Sequence, residues 1–210
     1  MRYDKMADIH AAPQTQYKKE INMVEVLNRD EQAQILFKAL KSSPRNYAIL
    51  MTMLQTGVRV GELVGLVFDD IMIGGHFKTS LTVRAEVSKS KREREIPISK
   101  RLKDVLQDYV TGYQLKQRAI RAEDPLFQQT NKVQSLSTRQ VERIVTKLSQ
   151  EAIGRKIHPH ILRHTFGTNT SRVASIRVVM ELLGHTNIAS TQIYLHPNSV
   201  DLKQAVDKLE

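Results

Sequence analysis

Hydrophobic positions recur every three or four residues in two stretches that follow Leu27. The first stretch begins at Asn28, which forms a capping-box pattern with Glu31, and its apolar positions are Ile35, Leu36, Ala39 and Leu40. The second begins at Ser43-Pro44, a cap followed by proline at the first helical position, and runs to Gly57; its apolar positions are Ile49, Leu50, Met53 and Leu54. The two patterns predict a pair of core helices.

Apolar and polar residues alternate over residues 77–98, which is typical of strands. Leu81, Val83, Ala85 and Val87 alternate with polar residues, and the alternation returns at Ile96 and Ile98 after the charged residues 88–95. We predict an antiparallel hairpin with a basic tip.

The rest of the chain is again mostly helical in pattern. Ser99 caps a predicted long helix that runs to about Arg121, a short apolar strand or turn lies at residues 125–127, and a further helix starts at Ser137 or Thr138 and ends near Gly154. Shorter helices follow, separated by Pro159, Gly184 and Pro197. The predicted fold class is α+β, mainly helical with a small antiparallel β-sheet, in one domain over residues 23–210. Residues 1–22 show no sustained period and are predicted to be an arm or linker.

Composition narrows the function classes. The 210 residues carry 32 Lys and Arg against 22 Asp and Glu, a net charge of +10, and the calculated pI is about 9.8. No apolar run approaches the roughly 18 residues that span a bilayer, and the polar N-terminus is unlike a secretory signal, so we expect a cytoplasmic protein with no membrane partner. Cysteine is absent, which excludes disulfides and thiolate chemistry. A polyanionic partner is the first hypothesis.

Half of the net charge lies in the hairpin region. Residues 84–103 hold eight basic and three acidic side chains, and a second basic group follows at Arg139, Arg143, Lys147, Arg155 and Lys156. Lysine and arginine on a hairpin tip can neutralise successive phosphates of a nucleic acid. The predicted contacts to a nucleic-acid backbone, DNA or RNA at this point, are Lys91, Arg92, Arg94, Arg139 and Arg143; the alternative for the hairpin is a solvated, charged turn.

The segment from His158 to His164 combines imidazole and guanidinium groups. His160 and Arg163 are three residues apart and lie on one face of a helix. A guanidinium matches two phosphate oxygens and an imidazole can move a proton near neutral pH, which together suit phosphoryl transfer. His160 and His164, four apart, also have the spacing of a metal pair, but HExxH and a third ligand cluster are missing, so we predict no metal.

Two further segments are weak signals when taken alone. TGVRVGEL places Arg59 just after a helix-ending glycine, and LLGHTNIASTQIY places His185 behind Gly184, with Tyr194 nine residues later. Together with HILRH at residues 160–164, these segments closely resemble the tyrosine recombinases, also called the phage integrase family. The resemblance covers about residues 23–210 and implies the catalytic-domain fold of that family.

The resemblance implies a role for each matched residue. Arg59 and Arg163 are the catalytic arginines, His160 and His185 the catalytic histidines, and Tyr194 the nucleophile. The catalytic lysine of the hairpin falls on Lys89, or on Lys91 if the hairpin register differs by two residues. The implied reaction is site-specific recombination of double-stranded DNA through a 3′-phosphotyrosyl intermediate, without metal or other cofactor. The implied assembly is a tetrameric synapse on DNA, at the nucleoid. We expect the protein that is not bound to DNA to be a monomer or weak dimer.

Several points of this interpretation stay open. Most family members carry an N-terminal domain that clamps DNA, and residues 1–22 are too few for one, so we expect either a catalytic fragment or one of the smaller members built without the clamp. A predicted helix at residues 198–210 would dock on a neighbouring protomer or fold back on its own domain. The alternative functions are relaxation of DNA by a type IB topoisomerase and a catalytically idle DNA-binding accessory factor.

Overall fold

The computed structural model describes residues 25–114 and 119–194, together with residues 203, 206 and 207. The predicted arm at residues 1–22 and most of the predicted helix at residues 198–210 lie outside the described residues. The described elements, in chain order, are α1 (Arg29–Ser42), α2 (Pro44–Thr56), α3 (Val60–Val64), a 3₁₀ turn (Phe68–Asp70), β1 (Met72–Ile73), β2 (His76–Phe77), β3 (Ser80–Val83), β4 (Arg94–Pro97), α4 (Lys100–Gln114), α5 (Thr138–Ile153), α6 (Pro159–Ser171), α7 (Ile176–Leu183) and α8 (Ala189–Gln192).

Helix α2 is the centre of the core. Seven consecutive residues, 48–54, are buried, so the helix is covered on all sides, and α1, α4 and α6 pack against it. The caps are those that the sequence predicts: Asn28 and Glu31 form a capping box at α1, and Ser43 caps α2. Gly57 ends α2 at φ +64°, a left-handed conformation that favours glycine. The prediction of two core helices is confirmed.

The hairpin is also confirmed, with shorter strands than its pattern predicts. Strands β3 and β4 pair antiparallel, with Leu81 opposite Ile96 and Val83 opposite Arg94. Ala85 and Val87 lie in the turn rather than in a strand. Residue Phe77 belongs to a second, separate hairpin of β1 and β2, which the hydrophobic pattern did not predict. Its turn is Gly74-Gly75, both with positive φ, and this dipeptide was the available sequence signal.

Two other predicted boundaries can be compared with the structure. Ser99 caps α4 by accepting a hydrogen bond from the Leu102 N–H, but the described helix stops at Gln114 and residues 119–121 are not helical, so the prediction that it reaches Arg121 is wrong. Helix α5 starts after its predicted cap Ser137 and ends at Gly154, as predicted. Within the described residues, no helix is both long enough and apolar enough to cross a membrane.

Candidate active site

Arg59 lies at the start of α3, just after the glycine that ends the central helix. Its backbone N–H donates to Glu62 Oε2 at 2.8 Å and its Nη1 donates to Glu62 Oε1 at 3.0 Å. The Glu62 side chain is 1% exposed, whereas that of Arg59 is 21% exposed. One buried carboxylate therefore fixes both the backbone and the guanidinium of Arg59, and leaves part of the guanidinium open to solvent.

Glu62 has a second cationic partner in Arg94 of β4. Arg94 Nη1 and Nη2 donate to the two carboxylate oxygens of Glu62 at 3.0 and 2.8 Å, and its Nε donates to the Leu182 carbonyl at 3.2 Å. Burial raises the pKa of Glu62, but the hydrogen bonds and charges of Arg94 and Arg59 outweigh burial and hold the pKa below its usual value.

The prediction that Arg94 contacts the DNA backbone is therefore wrong in this structure. Its side chain is 4% exposed, and its guanidinium packs against Gly184, where a Cβ would lie 2.9 Å from Nη1. Buried arginines need partners for their donors, and Glu62 and Leu182 supply them here. Arg94 joins β4 to the end of α7 and does not face solvent.

Arg163 connects the end of α2 to the end of α7. It lies on α6, is 4% exposed, and donates from Nη1 to the Gly57 carbonyl and from Nη2 to the Leu183 carbonyl, both at 2.6 Å. Burial lowers the pKa of its guanidinium to about 10, and the nearby positive charge of Arg59 acts in the same direction. The group still carries its charge at neutral pH.

His160 lies on the same helix as Arg163, three residues earlier, and is exposed. Its ring centroid is 6.4 Å from that of His164, which itself contacts Tyr194. His160 is therefore at the open edge of the cluster, and His164 lies between it and the tyrosine.

His185 follows Gly184, which ends α7 at φ +62°. Its Nδ1 is 2.8 Å from the hydroxyl of Thr191, a fully buried residue of α8. Burial lowers the pKa of His185 to about 4, and the positive charges of Arg163 and Arg59 contribute. The imidazole is therefore neutral at pH 7.

The Tyr194 side chain packs against one side of α6. It is 6% exposed, its hydroxyl is 2.9 Å from His164 Nδ1, and its carbonyl accepts a hydrogen bond from Ser171 Oγ at 3.1 Å. The ring crosses Gly167, where a Cβ would lie 2.8 Å from Cζ. Burial raises the pKa of the Tyr194 phenol, while the charges of Arg163 and Arg59 lower it.

The structure thus brings four of the predicted site residues into one cluster: Arg59, Arg163, His185 and Tyr194. Sequence reasoning missed two members of that cluster. The first is Glu62, because nothing in the sequence around it indicates that this acidic side chain is buried. The second is His164, which the sequence analysis considered only as one half of a possible metal pair with His160. In the described residues no group of three or more His, Asp or Glu side chains could hold a metal ion.

Comparison with known proteins identifies the family of the chain. The profile described as the phage integrase family matches residues 25–200, most of the chain. The chain belongs to the phage integrase family. Its fold is that of a tyrosine recombinase catalytic domain, as the sequence predicts.

Curated relatives of the chain are named tyrosine recombinases. Tyrosine recombinase XerC of Thermodesulfovibrio yellowstonii is 38% identical over 168 residues, which cover 78% of this chain and 52% of that protein. Tyrosine recombinase XerD of Listeria innocua serovar 6a is 32% identical over 208 residues, 97% of this chain and 66% of that protein. The chain therefore spans between about half and two-thirds of the length of these relatives.

Solved structures of similar fold include the XerA recombinase, with a TM-score of 0.71 and 31% identity over 93% of this chain and 67% of that one. The XerH site-specific recombinase bound to a palindromic difH substrate has a TM-score of 0.69 at 21% identity, covering 88% of this chain and 53% of that one. The catalytic domain of bacteriophage HP1 integrase has a TM-score of 0.61 at 24% identity, covering 88% and 94%. At these last two identities the likeness concerns the fold alone.

The predicted lysine of this recombinase domain lies in the turn of the β3–β4 hairpin. Lys89, Lys91 and Arg92 are all exposed, and Lys91 has φ +54°. Neither lysine belongs to a strand, and both lie in the turn between β3 and β4, so the choice of Lys89 over Lys91 stays a prediction. Among the described residues no contact joins Lys89 to the arginines, histidines or tyrosine of the cluster.

The base of this hairpin is nevertheless fixed beside α3. Arg84 Nη2 donates to the Gly65 carbonyl at 2.6 Å, and a Cβ on Gly65 would lie 2.5 Å from Val87 Cγ1. Glycine is therefore required for this close approach. Because Arg59 starts α3 and Gly65 ends it, the turn that carries Lys89 is anchored next to the helix that positions Arg59.

Proposed function

We propose that this chain is the catalytic domain of a site-specific recombinase that cuts and rejoins double-stranded DNA through Tyr194. The observation that carries the proposal is the placement of the Tyr194 hydroxyl 2.9 Å from His164 Nδ1 and near the charges of Arg59 and Arg163. The ring of His185 also lies beside the tyrosine, with 6.4 Å between the ring centroids. A phenol with a pKa near 10 is a weak nucleophile at neutral pH and needs a proton acceptor and charge neutralisation at the phosphate. The cluster contains groups of both kinds.

In the proposed cleavage step, Tyr194 Oη forms a bond to the scissile phosphorus, and the bond from phosphorus to the 5′ oxygen breaks. Arg59 and Arg163 donate to the non-bridging oxygens, where negative charge grows in the transition state, and His185 adds a third donor. Lys89 protonates the departing 5′ oxygen. Attack of a 5′ hydroxyl on the phosphotyrosine reverses the step, so no metal, nucleotide or other cofactor takes part.

The phenolic proton passes to a histidine. His160 is assigned this role by its position in the HILRH segment, and His164 is the imidazole that contacts the hydroxyl in the structure, at 2.9 Å. Burial lowers the pKa of His164, and the charges of His160 and Arg163 lower it further, so His164 is neutral and able to accept the proton. We include His164 with His160 in this step.

DNA would lie over the open side of the cluster. Lys91 and Arg92 on the hairpin turn, and Arg139 and Arg143 on α5, are exposed and available to phosphates. Strand exchange joins two duplexes, so we propose a tetrameric synapse of four protomers on DNA, with a cytoplasmic location on the nucleoid.

The test is covalent capture. The protein is incubated with sheared DNA of its source without divalent metal, denatured with SDS, and the attached DNA is sequenced. We expect DNA to be trapped by the wild type and by Tyr47→Phe, which removes a phenol far from the cluster, but not by Tyr194→Phe.

Capture separates a strand-cutting enzyme from an idle DNA-binding factor, and assays of supercoil relaxation and of duplex joining then separate a topoisomerase from a recombinase. A topoisomerase would trap DNA and relax supercoils as a monomer without joining two duplexes. An idle DNA-binding factor would trap no DNA. Equal trapping by Tyr194→Phe and the wild type would contradict Tyr194 as the nucleophile.

A further inference from the structure

Thr191 links the helix that precedes the tyrosine to the second histidine of the cluster. Its side chain is fully buried and its Oγ1 is 2.8 Å from His185 Nδ1. Its carbonyl accepts the backbone N–H of Tyr194 at 3.0 Å. One residue of α8 is thus bonded both to the backbone of the proposed nucleophile and to the imidazole of His185.

The direction of the hydrogen bond between Thr191 and His185 follows from burial. A hydroxyl carries one proton to donate, and among the described residues the Thr191 hydroxyl has no partner other than His185 Nδ1. If Nδ1 carried the proton and donated, the buried O–H would have no acceptor, and buried polar groups are rarely left unpaired. The Thr191 O–H therefore donates and Nδ1 accepts.

This direction fixes the tautomer of the imidazole. A neutral histidine has one protonated nitrogen, so an accepting Nδ1 requires the proton on Nε2. Burial and the charges of Arg163 and Arg59 lower the pKa of His185 to about 4, so the neutral form is the one present at pH 7. Nε2 is on the side of the ring away from Thr191, and no described residue hydrogen-bonds to it.

We propose that Thr191 is a positioning residue that holds His185 as the Nε2–H tautomer, so that this histidine acts as a hydrogen-bond donor to the scissile phosphate and not as a base. The inference deepens the proposed strand cleavage and rests on it for its effect on rate. Its structural part, the tautomer, can be tested without any DNA.

The first test is the tautomer itself. Long-range ¹⁵N–¹H NMR spectra of the free, ¹⁵N-labelled protein at pH 7 distinguish the two neutral tautomers, and His185→Asn assigns the signal. We expect the Nε2–H form in the wild type and in Thr191→Ser, which keeps the hydroxyl. Thr191→Val, which has nearly the same shape but no hydroxyl, should give a mixture of tautomers. A wild-type His185 protonated on Nδ1 overturns the proposal, whatever the variants do.

The second test is the rate of covalent capture on a cleavable DNA. Removing the outer hydrogen-bond partner of a functional histidine at metal sites costs about 10- to 100-fold, and we expect a loss of similar size for Thr191→Val with recovery in Thr191→Ser. In a His185→Asn background the Thr191→Val change should have no further effect, because the two residues act as one unit. Additive losses would contradict the proposal.

The two readouts separate the inference from the function on which it rests. If the wild type traps no DNA, the proposed recombinase function fails, while the NMR spectrum still decides the tautomer. If the wild type traps DNA and Thr191→Val cleaves at the wild-type rate, the positioning role is overturned and the recombinase function stands.

Discussion

Replacing Arg94 by methionine distinguishes a buried structural arginine from a DNA contact. The substitution keeps most of the aliphatic stem and removes the charge. Glu62 then loses two hydrogen bonds and Leu182 loses one, while Arg59 continues to contact the carboxylate. Glu62 is 1% exposed, so water cannot replace the lost partner without a change in packing. Removing one member of a buried ion pair costs about 3–5 kcal/mol.

We expect the lower end of that range, about 3 kcal/mol, because Arg59 remains bonded to Glu62. For a chain of this size the loss corresponds to a fall in Tm of about 6–12 °C. Urea denaturation followed by circular dichroism measures the free energy of unfolding. The double variant with Glu62→Gln should be more stable than the sum of the two single changes predicts, by about 1–3 kcal/mol, because the charges are removed together.

Arg92→Met is the matched control, since Arg92 lies two residues away on the same hairpin and is exposed. It should change the free energy of unfolding by less than about 0.5 kcal/mol. If Arg92 binds a phosphate, its loss lowers the slope of log binding constant against log salt by about 0.9. Arg94 is a DNA contact and not a buried structural residue if Arg94→Met unfolds at the wild-type urea concentration and lowers the salt slope instead.

Two further predictions concern the packing of the Tyr194 ring on Gly167 and the free energy of unfolding at acid pH. Gly167→Ala places a Cβ within 2.9 Å of the Tyr194 ring, so the ring must move away from α6, and nitration of Tyr194 by tetranitromethane, followed by mass spectrometry, should become faster. Gly112→Ala, where a Cβ meets nothing within 4 Å, should leave the nitration rate unchanged. Equal nitration rates in all three proteins would argue against the packing of the Tyr194 ring on Gly167. His185 has a folded pKa of about 4 against 6.5 when unfolded, so the unfolded chain binds more protons between these values, and the free energy of unfolding should fall as the pH drops from 6.5 to 4. His185→Asn should make that fall shallower, and an unchanged pH dependence would contradict the burial of His185.

Much of the fold could be predicted because local signals and packing agree. Three local signals begin or end a helix: Asn28 with Glu31 caps α1, Ser43-Pro44 starts α2, and Gly57 ends α2. Each acts through its own side chain or backbone, so its effect does not depend on distant residues. The β1–β2 hairpin was not predicted, because each of its strands has only two residues, too few for an alternating pattern.

The burial of Arg94 could have been predicted from the strand pattern, but its charge led to the prediction of an exposed DNA contact. Ile96 is buried, and side chains two apart on a strand share a face, so Arg94 had to face the core as well. Val83, its partner across the hairpin, is also fully buried. A charged residue on the inner face of a strand predicts a buried counter-ion, and Glu62 is that group.

The contact of His164 with Tyr194 could not be predicted from sequence. The two residues are 30 apart, and the contact exists because Gly167 lets the tyrosine ring lie against α6. Spacing on a helix groups His160 with Arg163 but says nothing about which other segment packs against the next face. That information comes only from tertiary structure.

Two kinds of bond hold the cluster, and they tolerate mutation differently. Arg163 binds the main-chain carbonyls of Gly57 and Leu183, which any amino acid at position 183 would also provide. Glu62 and Arg94 bind through side chains, so neither can change alone without leaving a buried charge. A hairpin transplanted from a relative, in order to alter DNA specificity, should therefore destabilise this scaffold by about 3 kcal/mol unless it carries a cation at position 94 or is transferred together with α3.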